Sequence, residues 1–256
     1  MCPIGDGIMA KRKKKAAPKL SPAMFKVTGA HAKLKIDSKK KKLFYFGTKI
    51  KSEKATKVAG SDGAEILGVS PSAVKVSKPA IKYDFYCSYD ADLDLKFLRV
   101  RDQEIGVNEQ VKGTLVGKEV VAPKKKGDFH SIKVDIVELF EIKRNDGMIL
   151  DGRTGGPARA LEKLVKGPGK KAATAAWVSK NKISPGKYNT VEKVVKAVAK
   201  MAGAKPSGAK RITTHTLTFK KLEGYYVPVY YVKIAAGAKT QTLKVNAVNG
   251  AVSVAV

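Results

Sequence analysis

The chain has 256 residues, 43% of them hydrophobic, two cysteines and a formal net charge of +29 at pH 7. That length and apolar content allow a buried core and exclude a wholly disordered protein. Two cysteines are too few for a disulfide framework and lack partners for a zinc site, and no run of about 18 apolar residues is present to cross a membrane as a helix.

The charge is unevenly spread: residues 1–60 carry 17 Lys or Arg against 3 acids and residues 151–256 carry 20 against 4, whereas residues 61–150 hold 14 against 15. Such a field repels its own copies and attracts polyanions. Only 7 of the 51 basic residues are Arg, which favours sequence-blind neutralisation of phosphate over bidentate reading of bases.

Met9-Ala10-Lys11 would make as good a start as Met1, so the first eight residues are given no role in the fold. Lys11, Arg12, Lys13, Lys14 and Lys15, followed by Ala, Pro and Ser, make residues 1–22 a disordered basic arm that orders only on a partner. The same run fits a nuclear-localisation pattern. No apolar stretch follows these basic residues as it would in a cleaved signal peptide. The expected location is intracellular, nuclear in a eukaryote, or within a virion.

Residues 23–150 are expected to form a mainly β body. Alternation in Ala32-Lys33-Leu34-Lys35-Ile36 and Leu43-Phe44-Tyr45-Phe46, flanking Asp37-Ser38 and then Lys39, Lys40, Lys41 and Lys42, predicts a hairpin over residues 25–50 whose basic tip reaches toward phosphate. Strand-like runs at residues 81–89, 93–100, 111–121 and 131–142 follow. An Asn145-Asp146-Gly147 turn should return residues 148–150, giving a neutral antiparallel sandwich or barrel over residues 80–150.

Residues 151–187 read as a basic helical linker. Pro157 sits at a first helical position, a short helix over residues 158–166 is stopped by Gly167, and another lies near residues 172–180. The clearest helix begins at Asn189, a capping residue with Glu192 three positions on, and puts Val191, Val194, Val195, Val198 and Ala199 on one face. Gly203 and Pro206 stop it. Strands are expected around residues 212–219, 226–234 and 242–248, and Asn249-Gly250 turns into residues 251–256. The fold class is therefore α+β: a basic arm, a central antiparallel β-sandwich or barrel, and a helix-plus-antiparallel-sheet unit over residues 188–256.

Within that last unit, Pro228-Val229-Tyr230-Tyr231-Val232 and Asn246-Ala247-Val248-Asn249-Gly250 resemble the strand and final turn of a PepSY-type module, with Asn246 where that family usually has Asp. The resemblance implies a non-catalytic interaction or folding role, in a family that is mostly extracytoplasmic. Ala64-Glu65-Ile66-Leu67-Gly68-Val69-Ser70-Pro71-Ser72-Ala73-Val74 resembles the centre of a helix-turn-helix, with Gly68 at the turn and Ser70, Pro71 and Ser72 opening the groove-binding helix.

Other constellations point to chemistry less directly. Asp90, Asp92 and Asp94 share one strand face, a geometry open to a hard cation or simply to water. Asp151-Gly152-Arg153-Thr154-Gly155-Gly156-Pro157-Ala158-Arg159 places a Gly-rich turn with two arginines ahead of a helix, a phosphate-contact candidate without the Gly-Lys-Ser/Thr of a nucleotide loop; a structural hinge is the alternative. Tyr225, Tyr226, Tyr230 and Tyr231 stand among Lys220, Lys221 and Lys233, the aromatic and cationic mixture that binds single strands. His31, His130 and His215 lie in separate contexts, and Cys87 alternates with Phe85 and Tyr83 as core filling.

These features read as a non-enzymatic structural protein of a large nucleoprotein assembly, a virion or similar particle, that needs no cofactor or metal and binds nucleic acid or another polyanion through lysine. The expected contacts are Lys11, Arg12, Lys13, Lys14, Lys15, Lys39, Lys40, Lys41, Lys42, Arg153, Arg159, Lys170, Lys171, Lys210 and Arg211. A minor capsid or cement protein with lysines facing acidic protein neighbours is the alternative. An enzyme is the third reading, and it would need His130 or Cys87 gathered with charged partners in a pocket.

Overall fold

Much of the alternation that suggests many short strands belongs to three long ones. The computed structural model describes residues 20–38 and 41–255. In chain order it forms β1 (Lys35–Ser38), β2 (Lys42–Phe46), α1 (Ser52–Leu67), β3 (Lys75–Val76), β4 (Ala80–Val107), β5 (Thr114–Val116), β6 (Glu119–Val121), β7 (Lys124–Lys126) and β8 (Phe129–Asp151). The chain continues through α2 (Glu162–Lys166), β9 (Lys170–Ala172), α3 (Ala175–Lys180), α4 (Val191–Ala202), β10 (Ala209–Ala236), β11 (Lys239–Asn246) and β12 (Val252–Val254). The strands β4, β8 and β10 are 28, 23 and 28 residues long.

Nearly all strands belong to one sheet, ordered β12-β11-β10-β4-β8-β7, and only β5 and β6 form a separate ribbon. The mixed, mostly antiparallel architecture agrees with the α+β expectation, but no second sheet of a sandwich and no closed barrel is formed among the described residues. The reason is local. Asn145-Asp146-Gly147 does not turn, because the Asn145 amide donates to Asp90 Oδ1 and Asp92 Oδ1 across the ladder at 2.6 and 2.8 Å, and Tyr89 OH donates to Asp146 at 2.8 Å. These cross-strand bonds hold the segment extended.

The hairpin expected over residues 25–50 is also absent. Strands β1 and β2 both run parallel to β10 on the edge away from β4, with Lys35 opposite Thr216 and Lys42 opposite Glu223. The same step along both chains keeps them in one register. Of the basic segment between them, Lys39 and Lys40 lie outside the described residues.

One face of the sheet is covered by α3 and α4. Val191, Val194 and Val198 pack on Phe85, Cys87, Tyr89, Leu217, Phe219, Leu222 and Tyr226. A register shift between Phe219 and Lys221 resets the alternation, so odd positions before it and even positions after it face this core. Thr190, one residue after the expected cap, accepts from Lys193 N at 3.3 Å, and Thr174 caps α3 by accepting from Trp177 N at 3.1 Å. The other face takes α2 and the 3-10 turn before it, where Leu161 and Val165 meet Phe46, Tyr225 and Val227.

Helix α1 packs its small side, Ala55 and Ala59, on Val232, Ile234, Leu243 and Val245. A Cβ at Gly63 would stand 2.7 Å from Ile234 Cδ1, so the glycine that weakens the helix by propensity is what lets it approach the sheet. Gly68, at φ 66°, ends the helix in the left-handed conformation. Because β10 is hydrogen-bonded to β4 from Ala209 to Pro228, the sheet runs across the boundaries drawn at residues 150 and 188 from charge and pattern.

Past Arg99, β4 loses β10 and pairs with β8 alone, from Val100 opposite Val137 to Val107 opposite His130. This two-stranded arm gains β7 on its outer edge, with Lys124 opposite Ser131 and Lys126 opposite Phe129.

Candidate polyanion-binding surface

The structure describes eight of the fifteen lysines and arginines singled out in the sequence and puts them in different settings. Lys11, Arg12, Lys13, Lys14, Lys15, Lys39 and Lys40 lie outside the described residues. Lys41 pairs with Glu192 on α4, and this partner, ahead of the backbone at the helix start, holds the Glu192 carboxyl below the usual carboxylate range. Lys170 donates to Val165 O at 3.1 Å and lies over the Phe44 and Tyr225 rings. Arg211 turns inward and donates to Lys26 O at 2.7 Å, holding residues 26–29 to the sheet rather than meeting phosphate. Lys42, Lys171, Lys210, Arg153 and Arg159 are exposed.

The Gly-rich turn is closed by its own acid. Asp151 Oδ1 accepts from Arg153 N and Thr154 N at 2.7 and 3.1 Å, and Thr154 Oγ1 accepts from Gly156 N at 3.2 Å. The amides that a phosphate would need are already bonded, so this stretch is built as a structural link.

The tyrosine platform is likewise spent inside. Tyr225, Tyr226 and Tyr230 are buried, and half-buried Tyr231 donates to Asp84 at 2.6 Å. On the acidic strand face, Asn145 bridges Asp90 and Asp92, and Lys220 pairs with Asp92 at 2.5 Å. Among the described residues no group of three or more His, Cys, Asp or Glu is placed to hold a metal ion.

The side chains suited to covalent chemistry do not converge. His31 Nδ1 accepts from Ile212 N at 3.2 Å, buried His215 donates from Nε2 to Ala202 O at 2.8 Å, and His130 sits in β8 opposite Val107. Cys87 is fully buried, and burial, then the nearby carboxylates of Glu192 and Glu223, push its thiol up to about 12. A thiolate is the reactive form, so in a Cys2→Ser background the native chain should take up no thiol reagent at pH 8 and one equivalent once denatured in urea. Labelling of the native chain at the denatured rate would contradict this burial.

The basic residues that do converge were missed in the sequence. A cleft of about 390 Å³ on the arm is lined by Glu104, Val121, Ala122, Lys124, Lys125, Lys126, Ser131 and Lys133. The four lysines are exposed, and none of them forms an ion pair within 4 Å among the described residues. Glu104, the one acid in the lining, is held below the usual carboxylate range by the Ser131 hydroxyl at 2.6 Å and then by the charges of Lys126 and Lys133. Pro123-Lys124-Lys125-Lys126-Gly127 was a readable signal, hidden because the acids around it brought the block's net charge near zero.

Over residues 188–256 the chain runs α4, β10, β11 and β12 in order, and Asn246 closes the last turn by accepting from Val248 N and Asn249 N at 2.9 and 3.4 Å. An Asp at this position would accept in the same way. After Gly68 the helix-turn-helix pattern departs, because the chain makes a single 3-10 turn at Pro71–Ala73 and enters β3 instead of a second helix. Compared with known proteins, the chain matches no family model, no curated sequence and no solved structure.

Proposed function

We propose that this is a non-enzymatic structural protein of a large nucleoprotein assembly that holds nucleic acid through lysine without reading its sequence. The observation that carries the reading is the charge: +29 over 256 residues, nearly all of the cation as lysine. Exposed Arg159, Lys163, Lys166 and Lys171 around α2 and β9, and the lysine cleft of the arm, supply the contact surface. Sequence-blind phosphate contact needs no more than this.

Titration of labelled duplex DNA, single-stranded DNA and RNA across a salt series tests the reading. Log affinity should fall linearly and steeply with log salt, and less steeply for a chain lacking residues 1–22. Weak binding to all three at physiological salt would overturn it and favour acidic protein neighbours.

A further inference from the structure

The protein's aromatic residues are mostly drawn into its cores, and Phe129 is the exception at 78% exposed. Its position follows from the turn before it. Gly127, at φ 63°, closes the link between β7 and β8, which sets Lys126 directly opposite Phe129 and Lys124 opposite Ser131. Directly opposed residues in an antiparallel pair share a face, and alternation along β8 adds Lys133 to it, roughly 13 Å from Phe129.

Lys124, Lys126 and Lys133 line a cleft of about 390 Å³, within the usual range of roughly 300–1,000 Å³ for ligand sites, and Phe129, directly opposite Lys126, shares their face beside it. The lining opposes four lysines to Glu104 alone, with Asp128 of the turn nearby in sequence.

Resting on the reading that the chain binds nucleic acid, we propose that this cleft is a site for single-stranded nucleic acid, in which Phe129 stacks on an unpaired base and Lys124, Lys126 and Lys133 neutralise the flanking phosphates. Base-to-aromatic stacking accepts any base, and a cationic groove tracks the backbone, so the site needs no sequence. A duplex offers the lysines its phosphates but hides its base faces from Phe129. The strand form is therefore distinguished by the ring and the affinity for any phosphate chain by the lysines.

The test compares the full chain with Phe129→Ala, Phe129→Tyr and a triple Lys124→Gln, Lys126→Gln, Lys133→Gln variant. The probes are an oligothymidylate, a duplex of equal length and inorganic polyphosphate. All four positions are exposed, so thermal unfolding midpoints should coincide. Phe129→Ala should weaken oligothymidylate binding about 5- to 100-fold without changing its salt slope, leave the other two probes unaffected, and be rescued by Phe129→Tyr. The triple variant should lower the slope of log affinity against log salt by about 2.

Oligothymidylate affinities of Phe129→Ala and the triple variant equal to the parent's would overturn the site and leave the polyanion reading standing. Failure of the parent to bind any probe would overturn both. A loss on Phe129→Ala that is equal for oligothymidylate and duplex would overturn the stacking role.

Discussion

Asp84→Ala should lower folding stability by about 3–5 kcal/mol, the range measured when one member of a buried ion pair is removed. Asp84 is 6% exposed, accepts from Tyr231 OH at 2.6 Å and pairs with Lys244 Nζ at 2.9 Å. It thereby ties β4, β10 and β11 at one point. Tyr231 OH also lies 3.1 Å from Ser184 Oγ, bringing in the loop before α4. Truncation would leave the Lys244 ammonium buried without a counter-ion. Asp84→Ala with Lys244→Met should therefore recover most of the loss, because an apolar pair of similar volume carries no uncompensated charge.

The pH dependence separates these cases. Burial lowers the Lys244 pKa, but the hydrogen bond and charge of Asp84, with the charges of Tyr231 and Asp151, together outweigh it and hold the group above its usual value. A folded pKa above the unfolded value of about 10.4 gives stability that is complete below that pH and lost as pH rises through the folded pKa. In Asp84→Ala burial, the largest influence, is opposed only by the weaker charges of Tyr231 and Asp151, and the sign should reverse. The unfolded chain then binds more protons, and stability should rise from pH 7 toward 10. Urea midpoints across that range measure both slopes; a variant within about 1 kcal/mol of the parent and flat in pH would show the pair to be unimportant.

Local grammar was legible where local bonds decide the outcome. The helix α4, its stop at Gly203, the stop of the short helix at Gly167 and the turn at Asn249-Gly250 all stand within a residue or two of their expected places, although that short helix opens as a 3-10 turn and is α-helical only from Glu162. What could not be read were choices made by distant partners. Asn145-Asp146-Gly147 has turn chemistry, yet the carboxylates of Asp90 and Asp92 compete for the Asn145 amide and win. Nothing near β1 and β2 announces that they lie beside β10, and α1 hides behind glycines chosen for its approach to Ile234.

The candidate site was hidden in a similar way. Its lysines were averaged away in a near-neutral block. The tyrosines drew notice by clustering, although clustered aromatics on a central strand are usually core, whereas Phe129 stands alone on the arm where the sheet extends past β10.

Gly152→Ala should destabilise by about 3 kcal/mol, the upper part of the overpacking range, while Gly156→Ala, four residues on, should be near neutral. A Cβ at Gly152 would stand 2.5 Å from Phe85 O, 2.9 Å from Phe85 Cδ1 and 3.1 Å from Tyr188 O. Two of these are backbone atoms in ladders that cannot yield separately: Gly152 N donates to Phe85 O, and Tyr188 N donates to Gly152 O, both at 2.8 Å. Gly186 presses on the same carbonyl from the other side, its Cβ position 2.5 Å from Gly152 O. At Gly156 the nearest atom is Thr154 Oγ1, an ordinary contact at 3.5 Å. The contrast tests what the glycines are for. A phosphate cradle would put the effect of Gly156→Ala on polyanion affinity, whereas a backbone junction puts the effect of Gly152→Ala on the unfolding midpoint and leaves affinity alone. The amides of this turn already bonded to Asp151 and Thr154 make the second outcome the expected one.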